Sequence, residues 1–357
     1  MKPPSGAGWG RIGPWARRNL FSSVANAAAT LLAVAAVIAV AVPFLQWSIL
    51  HANVAGETQA ACIGGGACWT FIRQRLPLLL FGHYPADQLW RVALAAGLLA
   101  VLCVMLLRPR ARRRGVALLL LALYPVPAGL LLIGDFGKLP YVDPDRWGGL
   151  LLNVIITVLV SAISLPLGTA LALGRRSALP IVRTLCVGFI ECWRGMPLVG
   201  VLFVAAVMLP LFLPQGVSTS RLLRAVAAMG LFNAAYVAEV IRGGLQGVAA
   251  EQEEAAASLG LRPWQNTVLV TLPQALSLSI PGLVNTIIDL FKDTTLISII
   301  GMYELLGTML QALRDPSWTG LASEGFTFAA AVFFLFCFAV STYSRSIERR
   351  LGRARRS

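Results

Sequence analysis

Eight apolar runs, each long enough to cross a bilayer and divided by short arginine clusters, limit what this chain can fold into. They cover residues 24–47, 89–107, 116–134, 150–174, 184–213, 221–243, 276–300 and 325–343. A helix needs about 20 mostly apolar residues to span the hydrocarbon core. Lipid offers no partner for backbone N–H and C=O groups, so such runs must satisfy them internally, as helices. The predicted class is all-α and integral to the membrane, with about eight transmembrane helices. Only 13% of the 357 residues are charged and 57% are hydrophobic, where soluble domains carry about 25% charged residues. A soluble globular protein, a disordered chain and a disulfide-stapled secreted domain are excluded.

Thirty basic residues against 16 acidic give a net charge of +14. In a soluble protein that balance points to nucleic acid. Here the arginines gather between apolar runs, as the positive-inside rule requires, and no nucleic-acid partner is expected. One set of alternate connections holds 20 Lys and Arg, among them Lys2, Arg11, Arg17, Arg18 and the five arginines of 108–114; the other set holds 8, including Lys138. This predicts both termini in the cytoplasm. The first run exceeds the about 7–15 apolar residues of a signal peptide and no A-x-A site follows it, so it is expected to be a retained anchor. Glu191, Arg194 and Pro197 interrupt the fifth run, which predicts an interfacial lead-in and then a span from about Met196 to Leu213. Glu191 and Arg194, at i and i+3, are expected to form a structural ion pair.

The connections differ in kind. Residues 48–88 form a long external loop with Gly64–Gly66 between Cys62 and Cys68. In an oxidising periplasm these two thiols either pair or stay free, and both readings stay open. Residues 135–149 are rich in turn formers. The two histidines, His51 and His83, and six scattered cysteines give no metal-ligand spacing. No G-x-x-x-x-G-K-[ST], H-E-x-x-H or G-x-S-x-G is present. No catalytic residue, metal or bound cofactor is therefore expected. Composition divides the chain near residue 148, giving segments 1–148, 149–345 and a basic tail, 346–357.

The longest internal connection, 244–275, has 32 residues and few arginines, where most connections run about 4–6. Glu251–Leu259 is acidic and alanine-rich, which favours helix. Gly260 would close that helix in a left-handed cap, and Arg262-Pro263 opens a second one. This predicts a helix–glycine–helix bracket between two spans; the plainer alternative is an ordinary re-entry loop.

Glu254-Ala255-Ala256, Gly260, Val270 and Leu272-Pro273 stand at the spacing of the EAA loop of ABC importer permeases, which this segment resembles. Val270 replaces the family's usual Ile. The resemblance implies that the loop docks into an ATP-hydrolysing partner, which would hold the ATP and Mg. Phe189–Leu198 is similar to the E-x-x-R-G-T-P-L segment of polar amino-acid permeases, with Met196 in place of Thr. Tyr236–Gly244 and Phe291–Gly301 resemble two further segments of that subfamily, Y-x-A-E-x-x-R-G-G and K-D-T-S-L. Trp15, Arg17–Ser23, Gly66–Ile72, Phe81-Gly82, Tyr84-Pro85 and Trp90-Arg91 resemble the M-type subunit of general L-amino-acid permeases, which carry three extra spans before a five-helix core. The resemblance implies a type I importer permease of the bacterial inner membrane, working by alternating access. It further implies an ATPase dimer, a second, Q-type permease subunit, a periplasmic amino-acid-binding protein and the lipid bilayer as partners.

Polar residues within spans are costly and face a cavity or a partner. Asn285, Asp289, Lys292 and Asp293 share one helical face and lead into Thr294 and Thr295; Asn233, Tyr236 and Glu239 form a second group. One reading is a path for a zwitterion, with Lys292 toward a carboxylate. The other is helix–helix glue, with Lys292 paired to Asp289 or Asp293, and glue is the favoured role for the serines at Ser161 and Ser164. A self-sufficient transporter driven by an ion gradient is the rival function. It accounts for the intramembrane charges but leaves the 244–275 bracket unexplained and shows no internal repeat.

Overall fold

The computed structural model describes residues 12–62, 64–107, 120, 123–137, 139–212, 214 and 219–354. Lys2, Arg11, the arginines of 108–114, Lys138, Leu213 and the last residues of the basic tail lie outside them. Every regular element among the described residues is helical, and strand-like pairing is limited to isolated bridges.

In chain order the helices are α1 (Ile12–Asn19), α2 (Val24–Leu45), α3 (Trp69–Phe81), α4 (Leu89–Leu107), α5 (Pro125–Ile133), α6 (Gly149–Arg175), α7 (Pro180–Gly195) and α8 (Leu198–Phe212). There follow α9 (Arg221–Gln246), α10 (Ala250–Ser258), α11 (Leu272–Asp293), α12 (Leu305–Ala312) and α13 (Ala322–Ala354). Their starts follow local chemistry. Ser23 caps α2 by accepting from the Asn26 N–H at 3.2 Å, Ser220 does the same for Leu223 on α9, and Pro180 opens α7.

Among the described residues six stretches are long and apolar enough to cross a membrane, or seven if the bent pair α7 and α8 counts as one. That is short of eight. In the third run the named helix is α5, of nine residues, and residues 116–119, 121 and 122 lie outside the described part. The fifth run breaks where its sequence predicts. It breaks at Met196-Pro197, because the residue before a proline is pushed out of the helical region, and the chain turns by 98° there. The loop 48–88 holds more helix than expected, since Arg73, Arg75 and Pro77 mask α3 in the sequence. α2 buries no residue, and Leu32 and Val40 are each more than two-thirds exposed. A helix apolar on every face has lipid as its solvent.

The chain divides into two compact units. Among the described residues, one gathers 12–74 with Pro316–Glu324. In it Cys62 and Cys68 are joined in a disulfide with Cα atoms 5.5 Å apart, and the buried Glu324 accepts from the Cys68 N–H at 3.1 Å. The other unit gathers Arg75–Asp315 with the chain from Gly325 on. Its core is α6 against α9, with Leu152, Ile156 and Val160 meeting Val226 and Met229. Small residues let the backbones approach. A Cβ on Gly168 would lie 2.5 Å from Val237 Cγ1 and 2.8 Å from the Ala234 carbonyl, so only glycine fits. Asn233 on α9 donates to Ser164 Oγ on α6 at 3.0 Å, a bond of about 0.6 kcal/mol in a bilayer.

Candidate functional site

The 244–275 segment folds as the bracket its sequence predicts. α10 carries Glu251 and Glu253 in its first turn, where acidic groups complement the helix dipole. It ends in a Schellman motif: the Gly260 N–H donates to Ala257 O at 2.9 Å and the Leu261 N–H to Ala256 O at 3.2 Å, with Gly260 at φ +80°. Arg262 is extended, Pro263 opens the next turn, and Asn266 Nδ2 returns to the Glu253 carbonyl at 3.1 Å, holding the two arms together. Within α10 only Ala256 is buried; Glu254 and Ala255 face outward. Beyond the turn Leu272 is half-buried at the start of α11 and Pro273 is exposed. Leu259, Trp264 and Leu269 are each more than 60% exposed around the turn. Apolar tips on a polar bracket form a surface built for contact.

Arg176, at the end of α6, reaches Glu253 with Nη2 and Oε1 3.1 Å apart. Below it lies a hub of charge. Glu239 on α9 accepts from Arg175 at 2.6 Å and Arg242 at 2.8 Å and lies 3.6 Å from Arg194. The expected Glu191–Arg194 pair is not formed. Glu191 lies 3.4 Å from Arg175, while Arg194 turns to Glu239 and stands over the Tyr236 ring at 5.8 Å. The physical reason is burial: Glu239 is 15% exposed and Glu191 56%, so the less solvated carboxylate draws the cations.

The two groups of intramembrane polar residues separate. Asn233 is buried and bonded within the helix pair, whereas Tyr236 is partly exposed on the same helix. On α11, Asn285, Asp289 and Lys292 share an exposed face, with Lys292 Nζ 3.5 Å from Asp289 Oδ1. Asp293 is half-buried beside them. Lys292 and Thr295 edge a cavity of about 680 Å³ whose far wall is Phe333, Phe334 and Cys337 of α13. The Thr295 hydroxyl is turned inward to the Lys292 carbonyl at 2.8 Å. Thr294 is buried, receiving a hydrogen bond from Asn153 Nδ2 at 2.8 Å.

That bond belongs to a network that sequence reasoning missed. Asn153 Nδ2 also donates to Glu304 at 3.0 Å, and its Oδ1 accepts from the Leu305 N–H at 3.1 Å. Glu304 is fully buried and caps α12 through the Leu306 and Gly307 N–H groups at 2.9 and 2.8 Å. Burial pushes its carboxyl above the usual range, against the pull of those N–H groups and the Asn153 amide. A lone acid just before Leu305-Leu306-Gly307 was the available signal. Arg175 was likewise missed as the partner that an acid inside a span requires.

The chain matches the model of the binding-protein-dependent transport system inner membrane component over residues 164–353. It belongs to that family. The match contains the bracket, the charge hub and the α11 face. This permease is 47% identical to the inner membrane amino-acid ABC transporter permease protein YhdY of Escherichia coli K12, over 96% of this chain and 93% of that one. It is 38% identical to the glutamate/glutamine/aspartate/asparagine transport system permease protein BztC of Rhodobacter capsulatus, over 96% and 94%. A crystal structure of an amino acid ABC transporter with histidines aligns at 29% identity and a TM-score of 0.51, covering 57% of this permease and 92% of that chain. The permease is thus a multi-pass protein of the bacterial inner membrane, and the ion-gradient alternative finds no support among its relatives.

Proposed function

We propose that this chain is the permease subunit of an ATP-binding-cassette importer that moves L-amino acids inward by alternating access. The observation that carries the reading is the α10 bracket, with its left-handed Gly260 and outward Glu254, Ala255, Leu259 and Trp264, inside a chain of the transport family. Glu254, Ala255, Ala256, Gly260, Leu272 and Pro273 form the contact with an ATPase dimer, which holds ATP and Mg and does all the hydrolysis. Both termini and α10 lie in the cytoplasm, as the arginine distribution directs. A periplasmic amino-acid-binding protein delivers substrate on the other side. The pathway is completed by a second, Q-type permease, because Asn285, Asp289 and Lys292 are exposed on this chain alone and charges within a span need a polar environment. The first 148 residues add helices to a permease core over 149–345, and 346–357 forms a basic tail. Names of relatives support amino acids, including the acidic ones and their amides, as cargo.

Purification of the full-length chain from its own membrane should bring down the ATPase and a second permease. Gly260→Asp and Glu254→Lys should still insert and fold, yet lose ATPase docking or uncouple hydrolysis from uptake. A solitary chain that transports on its own, or both variants docking and transporting normally, overturns the proposal.

A further inference from the structure

Beside the bracket lies a pocket lined by the arginines at the end of α6 and their neighbours. It encloses about 460 Å³ and is lined by Arg175, Arg176, Arg183 and Arg242 around an apolar floor of Val187 and Leu245. Arg175 and Arg242 share Glu239, Arg175 also lies 3.4 Å from Glu191, and Arg176 holds Glu253. Arg183 is exposed and has no carboxylate within ion-pair distance among the described residues. Four guanidinium groups converging on one concavity, one of them without a counter-ion, form a receptor for an anion with several acceptor oxygens.

The position of α7 says which anion. α7 and α8 make one candidate span only when taken together, and they meet at 98°, so with α8 along the bilayer normal α7 lies close to the membrane plane. Ile181 and Leu185, 74% and 68% exposed, line the face of α7 opposite Arg183 and Val187. An amphipathic helix lying flat, apolar on one face and basic on the other, sits at headgroup depth. Basic pockets between helices at that depth suit phosphate-bearing lipids, and the apolar floor suits the glycerol and first methylenes beneath the phosphate. We propose that the Arg175–Arg176–Arg183–Arg242 pocket is a binding site for the phosphate of an anionic phospholipid. Arg176 then faces two anions, the headgroup and Glu253 on α10, and they compete for it.

The full chain, purified in a neutral detergent, is titrated separately with phosphatidylglycerol, phosphatidylcholine and inorganic phosphate, and bound lipid is counted by native mass spectrometry alongside thermal shift. Phosphatidylglycerol should bind and stabilise, and Arg183→Gln should weaken it about fivefold. Arg183→Lys should retain part of that affinity. Glu253→Gln, which frees Arg176, should tighten binding. Inorganic phosphate giving the same shift as the lipid moves the source to a free anion and overturns the lipid assignment. Phosphatidylcholine binding as well as phosphatidylglycerol, or equal affinity in wild type, Arg183→Gln and Glu253→Gln, overturns the site itself. Arg183 is exposed, so its variants keep the fold, and size-exclusion profiles check that.

Discussion

Arg176 and Glu253 tie the end of a membrane helix to the outlying α10, their charged atoms 3.1 Å apart across 77 residues of sequence. Both side chains are more than 40% exposed, so the pair adds at most about 1 kcal/mol to stability. Its value is in position: it is the direct polar link from α6 to α10. Glu253→Arg should leave the melting temperature within about 2–4 °C of wild type while lowering uptake per ATP hydrolysed. The double exchange Glu253→Arg with Arg176→Glu should restore part of the coupling. Unchanged uptake in the single variant would show that α10 is held by backbone contacts alone.

Glu239 carries more. It is 15% exposed and gathers three arginines from three helices, α6, α7 and α9. Removing its charge leaves those cations facing one another, a loss of about 3 kcal/mol by analogy with buried pairs. Glu239→Gln should lower the denaturation midpoint of the purified chain in mixed micelles. A neutral effect would mean that water already screens the cluster.

Glu304 predicts a pH dependence. Its carboxyl titrates above the unfolded value in the folded chain, so the native state binds the proton more tightly than the unfolded one. The stability this contributes is present below the unfolded value, about 4.3, and is lost as the pH rises through the folded value. Acidification from neutral pH should raise the melting temperature of wild type relative to Glu304→Gln. A gap between the two that does not change with pH would rule this out.

Lys292 stands on an exposed face of α11 with Asp289 at 3.5 Å, where removing the charge opens no cavity in the core. Lys292→Met should therefore assemble normally and fail in transport. Normal transport, or failure to assemble, removes the functional role.

Cys62 and Cys68 close a seven-residue loop next to Glu324. Mass spectrometry without reduction should find both thiols consumed in protein taken from the membrane. Free thiols at both positions would refute the pairing and leave the loop held by the Glu324 contact.

The spans were legible because lipid imposes one rule on every residue in them, and the bracket because Gly260 and Pro263 act locally. The partners of Glu239 were not legible, since they depend on how deeply each acid is buried after packing, and spacing carries no depth. Glu191 and Arg194 have good helical spacing and still part company. The Asn153 amide meets Thr294 and Glu304, more than 140 residues away. No local pattern encodes such a meeting.

Gly168 leaves no room for even a methyl group between α6 and α9. Two backbones so close interlock side chain into backbone, and neither can slide along the other without a clash. A contact this tight resists shear, so α6 and α9 move most readily as a single lever. The sharp corner at Met196-Pro197, outside that seam, is where the chain already bends and where a change of access can be taken up by rotation.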